Sequence, residues 1–235
     1  MAELSVLGII PARAGSKGIP HKNTRQLRGK PLIHWAANAL MKAKRVNTRM
    51  CSTDGEEIAD CVKQVGFEVP WLRPAELATD TSSTVDVIAH ALRRYQEQQI
   101  HFTHVALVQA TSPTVLADDI DAAIELAIEK NADTIISGFY SHHSHPSLMY
   151  TTDSDQQVHW LLPESERKSR RQDFSTVYIR TGLVYVARAD IVLEKHSLYG
   201  ERIFALEIPE SRSITIDEER DFKLAALMLD EMNND

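Results

Sequence analysis

The sequence predicts an α/β fold in which a mainly parallel sheet is flanked by helices. Short apolar runs alternate with amphipathic segments through the first two thirds of the chain, the pattern of strand–helix–strand units. A basic segment with two glycines follows the first apolar run directly. Ligands of such sheets bind at the carboxyl ends of the strands, so this segment is the first candidate for a functional site.

The apolar runs give five predicted strands. Each is four to eight residues long and rich in the aliphatic residues that a buried strand carries. They are Val6–Pro11, Thr48–Ser52, Phe67–Trp71, His104–Gln109 and Thr134–Tyr140.

Amphipathic segments between these runs give four predicted helices, which are Leu32–Lys44, Glu56–Val65, Thr84–Gln98 and Asp118–Lys130. The second helix has Asp54 as its predicted N-cap and Gly66 as its predicted stop. Short strands are predicted again over residues 176–216, and Phe222, Ala225, Leu229 and Met232 share one face of a closing helix.

Residues 141–174 break this periodicity. They contain three histidines, two prolines and the basic run ERKSRR, so we predict a small extension outside the sheet, serving as a dimer arm. His142, His143 and His145 lack a partner carboxylate or cysteine at metal-ligand spacing. We therefore interpret these histidines as solvated loop residues.

Composition excludes several classes of protein. The chain has 235 residues, enough for one core with a small extension, and its net charge of −7 offers no general attraction to nucleic acid. No apolar run approaches the roughly 18 residues of a membrane-spanning helix. Cys51 and Cys61 form no CxxC pair, which is typical of buried thiols in a reducing compartment. We expect a cytoplasmic protein that binds neither nucleic acid nor a membrane.

The segment after the first strand is PARAGSKGIPHKN, residues 11–23. Gly15 and Gly18 allow the backbone to approach a ligand closely, so that amide groups converge on phosphate oxygens while Arg13 and Lys17 supply positive charge. The spacing fits neither GxGxxG nor the P-loop. The segment therefore predicts a polyphosphate site of another type, with a solvated basic turn as the alternative.

Six strings, in order along nearly the whole chain, resemble the acylneuraminate cytidylyltransferases, the CMP-sialic acid synthetase family. They are IIPARAGSKGIPHKN, GKPLIHWA, STDGEEIA, VPWLRPAELATDTSSTVDVI, VQATSP and RSITIDEERDF. The resemblance implies a Rossmann-like nucleotidyltransferase fold in one domain, residues 1–235, with residues 141–174 as a dimerisation extension. It also implies a homodimer that transfers CMP from CTP to a 2-keto sugar acid and releases pyrophosphate.

The resemblance also implies roles for individual residues. The triphosphate is expected against Ala12, Arg13, Gly15, Ser16 and Lys17, and the cytidine and sugar junction against Asn23, Arg73, Ser82 and Gln109. Gln109, Arg171 and Tyr185 are expected at the acceptor acid, and Asp217 at Mg²⁺; among these residues, Arg13, Lys17 and Asp217 are the expected catalytic groups.

The residue chemistry agrees with these roles, because attack on the α-phosphorus of a triphosphate requires dense positive charge. Three of these residues also have an alternative, purely structural interpretation. Arg73, which precedes Pro74, also suits a surface turn; Ser82 and Ser83 suit a helix cap; and Asp217 suits a helix N-cap.

The chain departs from the family at several positions. Thr215 replaces the first aspartate of the SIDID metal motif, Thr181 replaces the asparagine of RNGAIY, and ATSPTV lacks the arginine of PTSPLR. A hydroxyl is a weaker ligand for Mg²⁺ than a carboxylate. These changes concern the acceptor and metal side, so we expect the CTP site to be kept and the acid to differ from N-acetylneuraminate.

Two other functions remain open at this level. One is a noncatalytic dimeric CTP-binding or scaffold protein whose metal site has decayed, which Thr215 favours. The other is a cytidylyltransferase acting on a small phosphonate acid.

Overall fold

The computed structural model describes residues 4–15, 18–141 and 143–232, and of Arg171 only the backbone. The strands, in chain order, are β1 (Val6–Pro11), β2 (Gln26–Leu27), β3 (Lys30–Pro31), β4 (Thr48–Ser52), β5 (His104–Val108), β6 (Thr134–Tyr140), β7 (Tyr150–Thr152), β8 (Val158–Trp160), β9 (Tyr178–Arg188) and β10 (Ile203–Glu207). The helices are α1 (Leu32–Lys42), α2 (Glu56–Lys63), α3 (Thr84–Glu97), α4 (Ala117–Glu129), α5 (Ala189–Glu194) and α6 (Glu219–Met232).

Within the described residues, one sheet has the strand order β10-β6-β9-β5-β1-β4. β1 pairs in parallel with both β4 and β5, and β10 pairs in parallel with β6. β9 is antiparallel to its two neighbours. This arrangement confirms the predicted α/β fold with a mainly parallel sheet, and it brings the carboxyl ends of β1, β4 and β5 to one edge.

Both faces of the sheet are buried, as expected for parallel strands covered by helices. Val6 and Ile10 of β1 face a cluster shared with α1 and α4, whereas Leu7 and Ile9 face a cluster shared with α3 and α5. α6 closes a third cluster through Phe222, against the beginning of α1. Helices therefore pack on both faces of the sheet whose edge carries the glycine segment.

The predicted strands and helices match the structure to within about two residues, with two exceptions. Residues 176–216, predicted as short strands, form the 11-residue strand β9, the helix α5 and the strand β10. Residues 67–71 do not form a strand; the amide of Cys51 donates to the carbonyl of Glu68 at 2.8 Å, but Pro70 has no N–H to extend the pairing. The prediction of Asp54 as N-cap is also wrong, because Gly55 occupies the N-cap position of α2. The Asp54 carboxylate instead accepts from the amide of Ala14 and pairs with Arg73.

The extension over residues 141–174 contains the β7–β8 hairpin and short 3₁₀ turns. The prediction of a solvated histidine is wrong for His145, which is buried and stacks on Phe174 with ring centroids 4.3 Å apart. Its Nδ1 accepts a hydrogen bond from the amide of Ser147 at 3.1 Å, so the ring organises the turn. His143 is exposed, and His142 lies outside the described residues.

Other expectations can be compared with the described part of the chain. Cys51 and Cys61 are buried free thiols, as predicted. Burial raises the pKa of the Cys51 thiol to about 12. No described helix has the length and apolarity required to cross a membrane, and no cluster of three or more His, Cys, Asp or Glu suited to a metal occurs there.

Candidate active site

A cavity of about 520 Å³ opens where the carboxyl ends of β1 and β5 meet. Gly18 of the glycine segment lines it, as do seven residues to which the family resemblance assigns a role: Ala12, Arg13, Asn23, Arg73, Ser82, Gln109 and Asp217. They come from five separate segments of the chain, which only the sheet topology brings together. Further lining residues that sequence reasoning did not select include Lys22, Thr79, Asp80 and Thr111.

The glycine segment leaves β1 along the edge of this cavity. Ala12 is buried and its amide donates to the carbonyl of Ser52 at 3.0 Å, which extends the β1–β4 pairing by one residue. Gly15 is exposed, and apart from its chain neighbours no described atom lies within 4 Å of the position that a Cβ would take. Ser16 and Lys17 lie outside the described residues.

Arg13 is held at its backbone and paired at its side chain. The Asn23 amide nitrogen donates to the Arg13 carbonyl at 3.1 Å. The Arg13 guanidinium lies 2.7 Å from the Asp80 carboxylate, and both side chains are about one-third to one-half exposed, at 34% and 44%. Asn23 therefore positions the segment, while Arg13 keeps its charge at the cavity.

Arg73 is not the surface-turn residue of the alternative interpretation, because its side chain is only 4% exposed. Burial lowers the pKa of its guanidinium, and Asp54, 3.4 Å away, opposes that shift. Within the described part of the chain, the Arg73 Nε has no hydrogen-bond partner. A buried cation of this kind at a cavity wall favours an anionic ligand.

Ser83, rather than Ser82, caps α3. Its hydroxyl accepts from the amide of Asp86 at 3.1 Å and donates to the carboxylate of Asp86 at 2.7 Å. The Ser82 hydroxyl lies within the preceding turn, where it accepts from the Thr79 amide at 3.1 Å and donates to the Glu76 carbonyl at 3.1 Å. Ser82 thus shapes the cavity wall beside Thr79.

The Asp217 carboxylate is 75% exposed and remains at the cavity. It does not cap α6, because the amides of Asp217 and Glu218 both donate to the carboxylate of Asp221, at 2.8 and 2.7 Å. Lys22 Nζ donates to the Ile216 carbonyl at 2.9 Å and lies 3.3 Å from Asp217 Oδ1. A single exposed carboxylate at a cavity suits Mg²⁺, which keeps several waters and takes the oxygens of a bound phosphate as further ligands.

Gln109 follows β5 directly, and its side chain lies against Gly182 of β9. A Cβ on Gly182 would lie 2.5 Å from Gln109 Oε1 and 3.2 Å from the hydroxyl of Thr215. Thr215 therefore faces the Gly182 side of Gln109 and is not among the lining residues. Thr181 is buried, and its hydroxyl lies 2.8 Å from that of Ser137 on β6, so it points into the sheet.

Of the three residues expected at the acceptor, Gln109 and Tyr185 lie in different environments. Gln109 lines the cavity, but Tyr185 is 6% exposed and packs in the core with Leu7 and Ile9. Burial raises the pKa of Tyr185, the charge of nearby Arg180 opposes that shift, and Tyr199 adds to it. The side chain of Arg171 lies outside the described residues.

Arg180, which sequence reasoning did not select, donates to the hydroxyl of Tyr199 near Tyr185. The sequence signal for Arg180 was its position two residues before Gly182. In the structure, Gly182 adjoins Gln109.

Comparison with known proteins adds to this geometry. Residues 7–229 match the family model described as cytidylyltransferase. The chain is 34% identical to the CMP-N,N'-diacetyllegionaminic acid synthase of Legionella pneumophila, over 97% of each protein. It is 27% identical to the pseudaminic acid cytidylyltransferase of Campylobacter jejuni, over 94% of this chain and 95% of that protein.

Two further similarities bear on length and fold. The N-acylneuraminate cytidylyltransferase of Streptococcus agalactiae is 31% identical over 91% of this chain, but the match spans only 51% of that protein. Among solved structures, a CMP:2-keto-3-deoxy-manno-octonic acid synthetase complexed with CTP aligns with a TM-score of 0.73 at 16% identity, over 97% of this chain and 99% of that one. This structural likeness concerns the fold.

Proposed function

The chain belongs to the cytidylyltransferase family, and from that premise we propose that it transfers CMP from CTP to a nonulosonic sugar acid with release of pyrophosphate. The observation that carries the proposal is the convergence of Arg13, Lys22 and Arg73 on one cavity at the carboxyl ends of β1 and β5. Three cations at the edge where α/β sheets bind ligands can pair with the oxygens of a triphosphate, in competition with the carboxylates of Asp80 and Asp217 in the same cavity.

The reaction forms a bond between an acceptor hydroxyl oxygen and the α-phosphorus of CTP, and it breaks the bond from that phosphorus to the bridging oxygen of pyrophosphate. The hydroxyl proton passes to water as the new bond forms, and the leaving group takes the electron pair of the broken bond. Negative charge shifts toward the leaving pyrophosphate, so fixed cations stabilise the transition state. We assign that role to Arg13, Lys22 and Arg73, which line the cavity, and to Lys17 of the glycine segment.

Mg²⁺ is part of this proposal, with Asp217 as the protein ligand. When bound, the ion neutralises charge on the phosphate oxygens. Lys22 lies beside the Asp217 carboxylate and holds the adjacent Ile216 carbonyl, which fixes the segment that carries Asp217.

The acceptor is proposed to be a nonulosonic acid of the legionaminic or pseudaminic type. Two relatives named for these acids match the chain over almost their full length. At the departures from the sialic acid pattern, Thr181 stands at the position of the asparagine and points into the sheet. Val115, at the position of the arginine of PTSPLR, is buried, so neither residue offers an amide or a cation to the ligand. A site without those donors selects a different acid.

We also propose a cytoplasmic homodimer in which the β7–β8 hairpin is the dimer arm. Tyr150, Val158, Trp160 and Leu161 are exposed apolar residues on or beside this hairpin. Such a patch on a small hairpin is typical of a surface that a partner covers. The two free thiols suit the reducing cytoplasm, where CTP is available.

Pyrophosphate release tests the proposal. The protein is mixed with CTP, Mg²⁺ and, in separate reactions, N,N'-diacetyllegionaminic, pseudaminic and N-acetylneuraminic acids and a small phosphonate acid. We expect turnover with one of the first two acids and little with N-acetylneuraminate. If calorimetry detects no association with CTP at millimolar concentration, the proposal fails. CTP binding without turnover on any acid would instead favour the noncatalytic alternative.

A further inference from the structure

Asp54 connects two parts of the cavity wall that are far apart in the chain. It lies two residues beyond the end of β4, at the sheet edge where β1 also ends. Because Gly55 is the N-cap of α2, the Asp54 carboxylate is not used by the helix. It points instead toward the glycine segment.

One oxygen of this carboxylate accepts from two groups. Asp54 Oδ1 accepts from the amide of Ala14 at 3.0 Å and lies 3.4 Å from the guanidinium of Arg73. The next residue, Gly55, approaches the same segment so closely that a Cβ there would lie 2.9 Å from the Cβ of Ala14. A hydrogen bond to Asp54 thus holds the segment, and the close approach at Gly55 leaves no room for a side chain there.

The pairing with Arg73 matters because the Arg73 side chain is only 4% exposed, while that of Asp54 is 24% exposed. A buried guanidinium without a counter-charge is costly, and a side chain that loses its partner moves toward water. The Arg73 backbone has its own anchor, since its amide donates to the Thr53 carbonyl at 2.7 Å. Loss of the carboxylate therefore changes the side-chain position and leaves the chain path in place.

We propose that Asp54 is a positioning residue that holds the glycine segment and Arg73 in the geometry that binds the CTP phosphates. This inference rests on the proposed function, since it assigns the ligand of the cavity to CTP. Asp54 does not touch the nucleotide; it acts through the Ala14 amide and the Arg73 guanidinium. One carboxylate thereby positions both the backbone of the glycine segment and the Arg73 side chain against the same triphosphate.

Asp54→Asn tests the inference, because an amide oxygen still accepts from Ala14 but the charge opposite Arg73 is lost. We expect the Kd for CTP, measured by calorimetry, to rise about tenfold, the scale of one charge-assisted contact. The KM for the acid should stay within about twofold. A purely structural role would lower Tm without this selective loss of CTP binding.

Asp60→Asn is the matched control. Asp60 lies on α2, is 74% exposed and pairs only weakly with Lys63 at 3.4 Å, so the same charge change should leave CTP binding unaltered. Asp54→Glu is a second variant that retains the charge but displaces the carboxylate by one methylene; it should weaken CTP binding several-fold even if Asp54→Asn fails to fold.

The outcomes separate the two proposals. If the unmodified protein and Asp60→Asn bind no CTP, the proposed function fails. If both bind CTP and either Asp54 variant, once folded, binds it as tightly as they do, the positioning role of Asp54 is overturned while the proposed function stands.

Discussion

The guanidinium of Arg13 lies 2.7 Å from the carboxylate of Asp80, and the two residues line the same cavity from separate segments. Arg13 belongs to the glycine segment, whereas Asp80 precedes α3. A triphosphate at this position would take Arg13 as its partner and be repelled by Asp80. The ion pair therefore competes with the nucleotide.

Asp80→Asn is expected to lower the KM for CTP by about two- to fivefold, because a partly exposed ion pair contributes up to about 1 kcal/mol. The readout is initial-rate kinetics at fixed acid concentration. Glu97→Gln, at the far end of α3, is the control with the same change in charge. An unchanged or higher KM for CTP in Asp80→Asn would contradict the competition.

Gly182→Ala is expected to reduce kcat/KM by about tenfold or more, because the new methyl group would collide with Gln109 Oε1 at 2.5 Å and displace the amide from the cavity. Tm should fall little, since the obstructing atom is the end of a side chain. In a Gln109→Ala background the same substitution should have little further effect. Equal losses in both backgrounds would show that Gly182 acts independently of Gln109.

Asp217→Asn is expected to raise the Mg²⁺ concentration for half-maximal activity several-fold, since an amide is a weaker ligand for a hard cation than a carboxylate. A magnesium titration at saturating CTP measures this. Glu218→Gln serves as the neighbouring control, because Glu218 is exposed and does not line the cavity. If both variants require the same Mg²⁺ concentration as the unmodified protein, Asp217 does not hold the ion.

Acid should destabilise the fold through two histidines. Burial lowers the pKa of His90 and of His104, and the charges of Arg94 and Arg188, respectively, lower it further. The unfolded chain then binds more protons, so stability is fully present above the ordinary histidine pKa near 6.5 and is lost as the pH falls toward the folded-state pKa. Glutamine at both positions should reduce this loss.

Denaturant unfolding at about pH 7 and about pH 5 checks this expectation. The free energy of unfolding should fall less between these two pH values in the double variant, because glutamine takes up no proton in either state. An identical pH dependence in both proteins would exclude the two histidines as its source.

Trp160→Ser is expected to weaken the proposed dimer, because Trp160 is 46% exposed beside Tyr150 on the hairpin. Sedimentation velocity over a range of concentrations measures the monomer fraction. Leu227→Ser, at an even more exposed apolar position on α6, is the control. If only the Leu227 variant dissociates, the dimer interface lies on α6 and not on the hairpin.

The positions of β1, β4, β6 and the glycine segment follow from the sequence alone. Their apolar runs are long enough that burial on both faces of a sheet is the favourable outcome, and the glycines mark where the first strand must end. The family strings likewise selected seven residues that line one cavity.

What surrounds these residues depends on contacts between distant segments. Lys22 and Asp217 are separated by 195 positions, and Asp54 reaches across 40 positions to Ala14. Local sequence preferences do not predict such pairs, because the pairs form only after β1, β4 and α6 have packed. For the same reason the sequence left a surface turn open as the alternative for Arg73 and suggested an acceptor contact for Tyr185, whereas packing buried both side chains. The sequence thus determined which chemical groups the cavity holds, and the tertiary structure decided how each is paired, because burial and pairing depend on non-local packing.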